Sequence, residues 1–270
     1  MAVNSSLARL KNLTEHSAKA QKLLGNGDVQ ALLLLEDDFK KMKKRNPIRY
    51  QSWIRVLSSV AKTESVEAVV IRPLVKAYRK NRVIQDYLKA HGQDEERHGA
   101  LLERYLKNSF DFTRPLKPTA SDRLIYQGLL PRVAESFTRR PIYGIALLHC
   151  YEKFAVHLYT EMKREAEKDD SHSLLKLIQA IEKDELRHIA GMETLLTLEV
   201  KKNKSLSTRA LTTLSLGVVL LDVNMSPFAF HNRELRSRLM SLGISPRFVN
   251  QCAKNAAKST LSFFGGSRHD

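Results

Sequence analysis

Apolar residues recur at spacings of three and four along most of the chain, as they do on the buried face of an α-helix. The pattern is clearest in "VIQDYLKAHGQDEERHGALLERYL" and "LLKLIQAIEKDELRHIAGMETLLTL". No alternating strand pattern competes with it, so the chain is predicted to be all-α. Long helices are predicted near residues 50–79, 83–109, 140–168 and 172–201, with shorter ones before residue 46 and after residue 205.

Polar, turn-forming residues separate the predicted helices. They are "RKNR" around Asn81, "RPLKPTASD" at 114–122 and "KDDSHS" at 168–173. Two short turns predict two antiparallel helical hairpins. The longer break predicts a crossover between them, with a short helix within 119–138. Pro73 should kink the first long helix or end it early, because proline removes a backbone donor.

One five-residue motif occurs twice. "DEERH" at 94–98 and "DELRH" at 184–188 differ at a single letter. A given position matches the four shared letters with a chance of roughly one in 10⁵, so a second copy is not expected by accident. Glutamate and histidine three residues apart lie on one face of a helix. Each motif can therefore aim a carboxylate and an imidazole at one point.

A di-iron carboxylate centre in a four-helix bundle takes Glu-x-x-His from two helices and one glutamate from each of the other two. In an antiparallel hairpin, residues equally distant from the turn meet. Glu152 precedes Glu185 by 33 residues, with the midpoint in "KDDSHS". Glu64 precedes Glu95 by 31 residues, with the midpoint in "RKNR". Glu67, one helical turn from Glu64, is the alternative ligand.

The doubled pattern resembles the ferritin-like di-iron carboxylate superfamily over roughly residues 50–201. The implied fold is a ferritin-like four-helix bundle with extra N- and C-terminal helices. We expect a helical extension at 1–46, the bundle at 47–203, and a second extension at 204–270 packed on it. The expected cofactor is two iron ions, or one manganese and one iron. The expected metal ligands are Glu64, Glu95, His98, Glu152, Glu185 and His188.

In oxygenase-type relatives the motif is often extended to Asp-Glu-x-Arg-His, as in both copies here. The resemblance implies that Asp94 and Asp184 accept hydrogen bonds that orient the ligand histidines. Arg97 and Arg187 would hold those carboxylates in place. The remaining candidates are expected to be core or surface residues, with aromatic packing for the tyrosines: His149, His157, His172, His231, Tyr151 and Tyr159.

Composition indicates a chain with a buried core, and it bears on the expected cellular location. With 43% hydrophobic residues among 270, the chain can bury a substantial core. Cys150 and Cys252 have no metal-binding spacing, and the N-terminus has no secretory signal, so a cytoplasmic location is expected. The most apolar window, 210–223, is too short to cross a bilayer, so no transmembrane segment is expected.

Net charge is +16, from 45 Lys+Arg against 29 Asp+Glu. It favours an anionic partner such as RNA, an acidic carrier protein or an anionic lipid surface. The basic run "FKKMKKRNPIRY" at 39–50, close to Trp53, could contact nucleic acid. A solvated helix end is the more usual role of such a run.

The leading functional hypothesis is a non-haem di-iron oxygenase that acts on an organic substrate. No flavin or NAD fingerprint and no cysteine cluster for an iron–sulfur centre occurs, so a separate electron donor is expected. A small homo-oligomer is expected rather than a storage cage. The alternatives are a ferroxidase or peroxide-scavenging ferritin-like protein, and a non-enzymatic ferritin-like binding bundle.

Overall fold

The computed structural model describes residues 2–25, 37–110, 112, 130–202 and 237–265. No strand occurs among these residues, and the all-α prediction is confirmed. Residues 237–241 are helical as well. The longer helices are α1 (Ala2–Gly25), α2 (Asp37–Arg45), α3 (Pro47–Ala77), α4 (Arg82–Phe110), α5 (Leu130–Ser136), α6 (Pro141–Lys168), α7 (His172–Lys202) and α8 (Pro246–Gly265).

Helices α3, α4, α6 and α7 form the predicted four-helix bundle. The α3–α4 and α6–α7 pairs are hairpins closed by the turns 78–81 and 169–171, and the hairpins meet where α3 packs on α6 and α4 on α7. Asn46 caps α3 by accepting a hydrogen bond from the backbone N–H of Arg49, and Asn81 accepts one from that of Ile84 at the start of α4. The chain reverses at Asp170, whose φ is 54°.

The predicted helix limits lie within a few residues of the observed ones, except near Pro73. This proline lies inside α3, which continues to Ala77, so an early end to the helix is wrong. Proline removes one backbone donor, but Ile71 and Leu74 beside it are buried, and their packing holds the helix together. Helix α5 lies within the predicted crossover helix at 119–138, whereas residues 113–129 lie outside the described part of the chain.

The bundle core is divided along its length. One apolar cluster joins the start of α3 and α7 to the later parts of α4 and α6, and includes Trp53, Tyr105 and Met162. The other joins the opposite ends of the same four helices, and includes Leu74 and Leu195. Both copies of the repeated motif lie between the clusters. The fold therefore places a polar layer across the middle of an apolar bundle.

Two further helices flank the bundle. Helix α1 packs against α4 and α7, and α8 packs against α6 and α7. His149 on α6 is buried, and its Nδ1 lies 2.8 Å from the Thr260 hydroxyl on α8, so it is a core residue as expected. None of the described helices is long and apolar enough to cross a membrane. The window 210–223 and His231 lie outside the described residues, and the division into three domains stays a prediction.

Candidate metal centre

The six side chains predicted to bind metal meet in the polar layer. Helices α3 and α6 supply one glutamate each, and α4 and α7 supply one Glu-x-x-His pair each. None is more than 6% exposed. The six are Glu64, Glu95, His98, Glu152, Glu185 and His188. The side chain of Glu67 lies outside the described residues, so the choice of Glu64 over Glu67 as the ligand stays a prediction.

Four of these residues form what we call the three-carboxylate group: Glu64, Glu95, His98 and Glu185. One ligand atom from each lies within 4.8 Å of the others. Nδ1 of His98 is 3.3 Å from Oε2 of Glu64, 3.2 Å from Oε1 of Glu185 and 3.8 Å from Oε2 of Glu95. All three carboxylates thus face the same nitrogen of one imidazole.

A second set, the two-histidine group, consists of His91, Glu95, Glu152 and His188 and meets the same 4.8 Å limit. Nε2 of His91 is 2.7 Å from Oε1 of Glu152, and Nδ1 of His188 is 2.9 Å from Oε1 of Glu95. Glu95 belongs to both groups, with Oε1 on this side and Oε2 on the other. Its carboxylate therefore connects the two halves of the centre.

Sequence reasoning missed His91. The residue lies four positions before Glu95 and seven before His98, so it shares their helix face. That spacing was available from the sequence. His91 does not belong to the repeated pattern, because the corresponding position before the second motif is Ile181.

Each motif aspartate holds the histidine of the opposite motif. Nε2 of His98 lies 3.1 Å from Oδ2 of Asp184, and Nε2 of His188 lies 3.3 Å from Oδ2 of Asp94. When Nε2–H donates to an aspartate, the lone pair of the imidazole is on Nδ1. Both Nδ1 atoms face the glutamates, and on losing its proton each could bind a metal through that lone pair, which is the arrangement of a metal-binding histidine.

Two arginines complete a crossed network between α4 and α7. Arg97 contacts both aspartates, at 2.8 Å from Asp94 and 2.5 Å from Asp184. Arg187 does the same, at 2.6 Å and 2.8 Å. Ser17 of α1 adds a hydrogen bond of 2.8 Å to Asp94. Each aspartate is therefore fixed by both hairpins and cannot turn without disturbing both motifs.

Tyr159 is more than a packing residue, contrary to expectation. It is buried on α6, and its hydroxyl donates a hydrogen bond to Oε1 of Glu64 across the bundle. Burial, followed by the charge of Glu64, raises the pKa of this phenol well above its ordinary value, so the proton stays on oxygen. Tyr151 agrees with expectation, since it packs against the apolar cluster.

The electrostatics of the layer call for positive charge. Burial, followed by the charge of Glu185, raises the pKa of Glu95 well above its usual range. Burial opposes protonation of His98, but its hydrogen bond to Asp184 and the nearby carboxylates of Glu185 and Glu64 prevail and raise its pKa well above the ordinary value. Burial, followed by the charge of His188, lowers the pKa of His91 well below the ordinary value, which leaves this ring neutral.

The donor set fits two divalent cations. Four glutamates carry four negative charges, which two such ions would balance. Several buried atoms of the layer make no hydrogen bond of regular geometry with any described residue: both oxygens of Glu95, Oε1 of Glu185, both ring nitrogens of His91 and Nδ1 of His188. Buried polar atoms in that state require an explanation, and a bound ion is one. Carboxylate with imidazole suits iron or manganese.

The model of a fatty acid desaturase family matches residues 76–214, just over half of the chain. The chain belongs to the fatty acid desaturase family. The matched segment contains both motifs, Glu152 and His91. Membership in this desaturase family makes the chain an oxidoreductase.

Solved structures show the same fold. A variant of an R2-like ligand-binding oxidase with an aerobically reconstituted Mn/Fe cofactor has 16% sequence identity and a TM-score of 0.72, over 96% of this chain and 94% of that chain. Another such oxidase, after photoconversion, has 14% identity and a TM-score of 0.69 over the same shares. The similarity of fold thus extends well beyond residues 50–201. No curated protein matches the chain in sequence.

Proposed function

We propose that this desaturase-family protein uses a di-metal centre, Fe/Fe or Mn/Fe, to oxidise an organic substrate with O₂. The observation that carries the proposal is the pair of buried ligand groups that share Glu95 at the middle of the bundle. The Mn/Fe cofactor of the R2-like oxidases supports the mixed pair, and carboxylate with imidazole suits iron as well as manganese. The proposed ligands are the six predicted residues, Glu64, Glu95, His98, Glu152, Glu185 and His188.

Two metal ions held in this way supply O₂ activation when bound in their reduced state. The protein itself holds the ligand side chains in position and excludes water from the centre. Asp94 and Asp184 fix the two imidazoles, and Tyr159 holds one oxygen of Glu64. The apolar clusters on either side keep the layer dry. Fixed ligands in a dry site need little rearrangement during a reaction.

We propose an acyl chain as the substrate class and desaturation or hydroxylation as the reaction. The family supports this assignment. Because residues of the chain supply no flavin, nicotinamide or iron–sulfur fingerprint, the electrons should come from a separate donor protein. The cytoplasmic location and the small homo-oligomer stay predictions.

An anionic partner is proposed to bind the basic end of the molecule. Lys41, Lys43, Lys44 and Arg45 are exposed on α2. An acidic carrier protein that presents the acyl chain fits both this surface and the family. The test is binding of an acidic acyl carrier protein, RNA and anionic vesicles at low and high salt. The proposal predicts that the carrier binds at low salt and that Lys43→Glu/Lys44→Glu weakens its binding, with Lys254→Glu on α8 as the control.

Metal analysis and oxygen reactivity test the central proposal. Protein reconstituted anaerobically with Fe(II) should hold close to two ions per chain. Mixing with O₂ should change its absorbance, and supplying a reductant and acyl substrates should yield a product of altered mass. A chain that binds no metal would refute the proposal. Continued oxidation of many Fe(II) ions per chain without substrate would instead favour the ferroxidase alternative.

A further inference from the structure

The two hairpins differ at one buried position beside the metal centre. His91 precedes Glu95 by four residues, and Ile181 precedes Glu185 by four. Each side chain is 1% exposed. The two motifs are identical at Asp, Glu, Arg and His. The residue one helical turn before each motif glutamate differs, so the two halves of the centre are not equivalent.

His91 is placed as a ligand rather than as a hydrogen-bonding residue. Its Nε2 lies 2.7 Å from Oε1 of Glu152 and 3.2 Å from Oε1 of Glu95. Its ring stacks on His188, with 3.8 Å between centroids and 14° between planes. Despite these short distances, neither ring nitrogen makes a hydrogen bond of regular geometry with a described residue. These atoms are close together but are not aligned for hydrogen bonds to one another. This is the arrangement expected when they all point at a metal ion between them.

The corresponding position in the other hairpin carries an apolar side chain. Ile181 is part of the apolar cluster and brings no donor atom to the three-carboxylate group. That group therefore contains one imidazole and three carboxylates, whereas the two-histidine group contains two imidazoles and two carboxylates. The shared carboxylate is Glu95 in both cases.

We propose that His91 is a seventh metal ligand and makes the two metal positions chemically unequal. The inference rests on the proposed di-metal centre. Imidazole suits iron, carboxylate oxygen suits manganese, and a given site binds Fe²⁺ more tightly than Mn²⁺. The two-histidine group is therefore the position that prefers Fe²⁺, and the three-carboxylate group is the position that accepts Mn²⁺.

Metal titration of the full chain tests the assignment without relying on activity. Anaerobic titration with Fe(II) should show two classes of site in the wild-type protein. His91→Ala should weaken one class by at least about 10- to 100-fold and leave the other unchanged. His91→Gln should lose less, because its amide oxygen can replace part of the lost bond. Ile181→Ala is the matched control, since it shortens the corresponding buried side chain and should keep both sites.

A crystal structure of the wild-type protein loaded with Fe(II) and Mn(II) gives a second readout that needs no variant. His91 should lie about 2 Å from one ion, the length of a metal–imidazole bond. Anomalous scattering should identify that ion as iron. If His91 lies out of bonding range, or His91→Ala binds both ions as tightly as the wild type, the seventh ligand is refuted and the di-metal centre stands. If the wild-type chain binds no metal, both proposals fail.

Discussion

Asp184 of the second motif holds His98 of the first, with Oδ2 of the aspartate 3.1 Å from Nε2 of the imidazole. The reciprocal pair, Asp94 with His188, is 3.3 Å apart. The two copies of the motif support each other: the aspartate of each copy orients the histidine of the other copy. A substitution in one motif should therefore affect the histidine of the other.

The first prediction separates ligands from supports. Glu152→Ala and His188→Ala should each lose metal and O₂-dependent absorbance changes, because each removes a donor atom. Asp184→Asn keeps its shape but is a poorer acceptor for His98, so metal affinity or activity should fall by about 10- to 100-fold with metal still bound. Metal content and stopped-flow absorbance are measured together for each variant.

Glu96→Gln is the control for this series, because Glu96 lies inside the first motif but is exposed. It should behave as the wild type. If Asp184→Asn loses metal as completely as His188→Ala, the aspartate is not merely a support. If Glu152→Ala retains both ions and normal oxidation, another carboxylate takes its place.

The second prediction concerns Tyr159. Tyr159→Phe removes the hydroxyl that donates to Glu64 and leaves the ring in its packing. The Glu64 carboxylate should lose one of the two contacts that fix its orientation, and affinity for one metal ion should fall by about 10-fold while the fold is kept. Metal titration and circular dichroism provide the two measurements. Tyr151→Phe on the same helix is the control, and an equal loss there would show that the effect is not specific to Glu64.

The third prediction concerns the close approach of α4 and α7 at Gly191. A β-carbon at this position would overlap the ring of Tyr87, whose hydroxyl donates a 3.1 Å hydrogen bond to the backbone carbonyl of His188. Gly191→Ala should lower the free energy of unfolding by about 1–3 kcal/mol or more, as overpacking does. Chemical denaturation measures the loss.

Gly92→Ala is the control for Gly191, because a β-carbon there would lie 3.3 Å from Ile71, a contact that small shifts can accommodate. Adding Tyr87→Ala to Gly191→Ala makes room for the new methyl group. The double variant should therefore lose less than the sum of the two single losses. Additive losses would mean that the Tyr87 ring is not the obstacle.

The fourth prediction is a pH dependence at the end of the bundle. Arg49 lies 2.6 Å from Glu165 and 2.5 Å from Asp169, which also accepts a 2.6 Å hydrogen bond from the Trp53 indole. Burial opposes ionisation of Glu165, but its bonds to Lys168 and Arg49 prevail and lower its pKa below the ordinary value. Its stabilising effect is therefore present above the unfolded pKa and is lost as pH falls through the lowered folded pKa.

Glu165→Gln should accordingly destabilise the protein by on the order of 2 kcal/mol at neutral pH, the range of a hydrogen bond to a charged group. The difference from the wild type should shrink as the pH falls through the lowered pKa of Glu165, because the wild-type carboxylate then becomes protonated as well. Denaturation at several pH values measures it. Glu167→Gln, an exposed neighbour on α6, should show no such trend. A difference independent of pH would indicate a packing effect instead.

The sequence predicts the bundle well, because periodicity, polar turns and a duplicated motif all point to two similar hairpins. It also directs attention to Glu152 and to Glu64 or its alternative Glu67, since residues equidistant from a turn lie opposite each other in a hairpin. His91 was overlooked because the repeat directs attention to what the halves share. The contact of Tyr159 with Glu64 and the exchange between Asp184 and His98 cross between hairpins. Such pairings depend on how the hairpins dock, which no local spacing specifies.

The apolar clusters on either side of the polar layer each draw side chains from all four bundle helices. Each cluster alone therefore joins one hairpin to the other through apolar contacts. We expect the chain to assemble first and acquire its metals afterwards. Which pair of ions it carries would then reflect the iron and manganese supply that the finished protein meets, as well as its ligands.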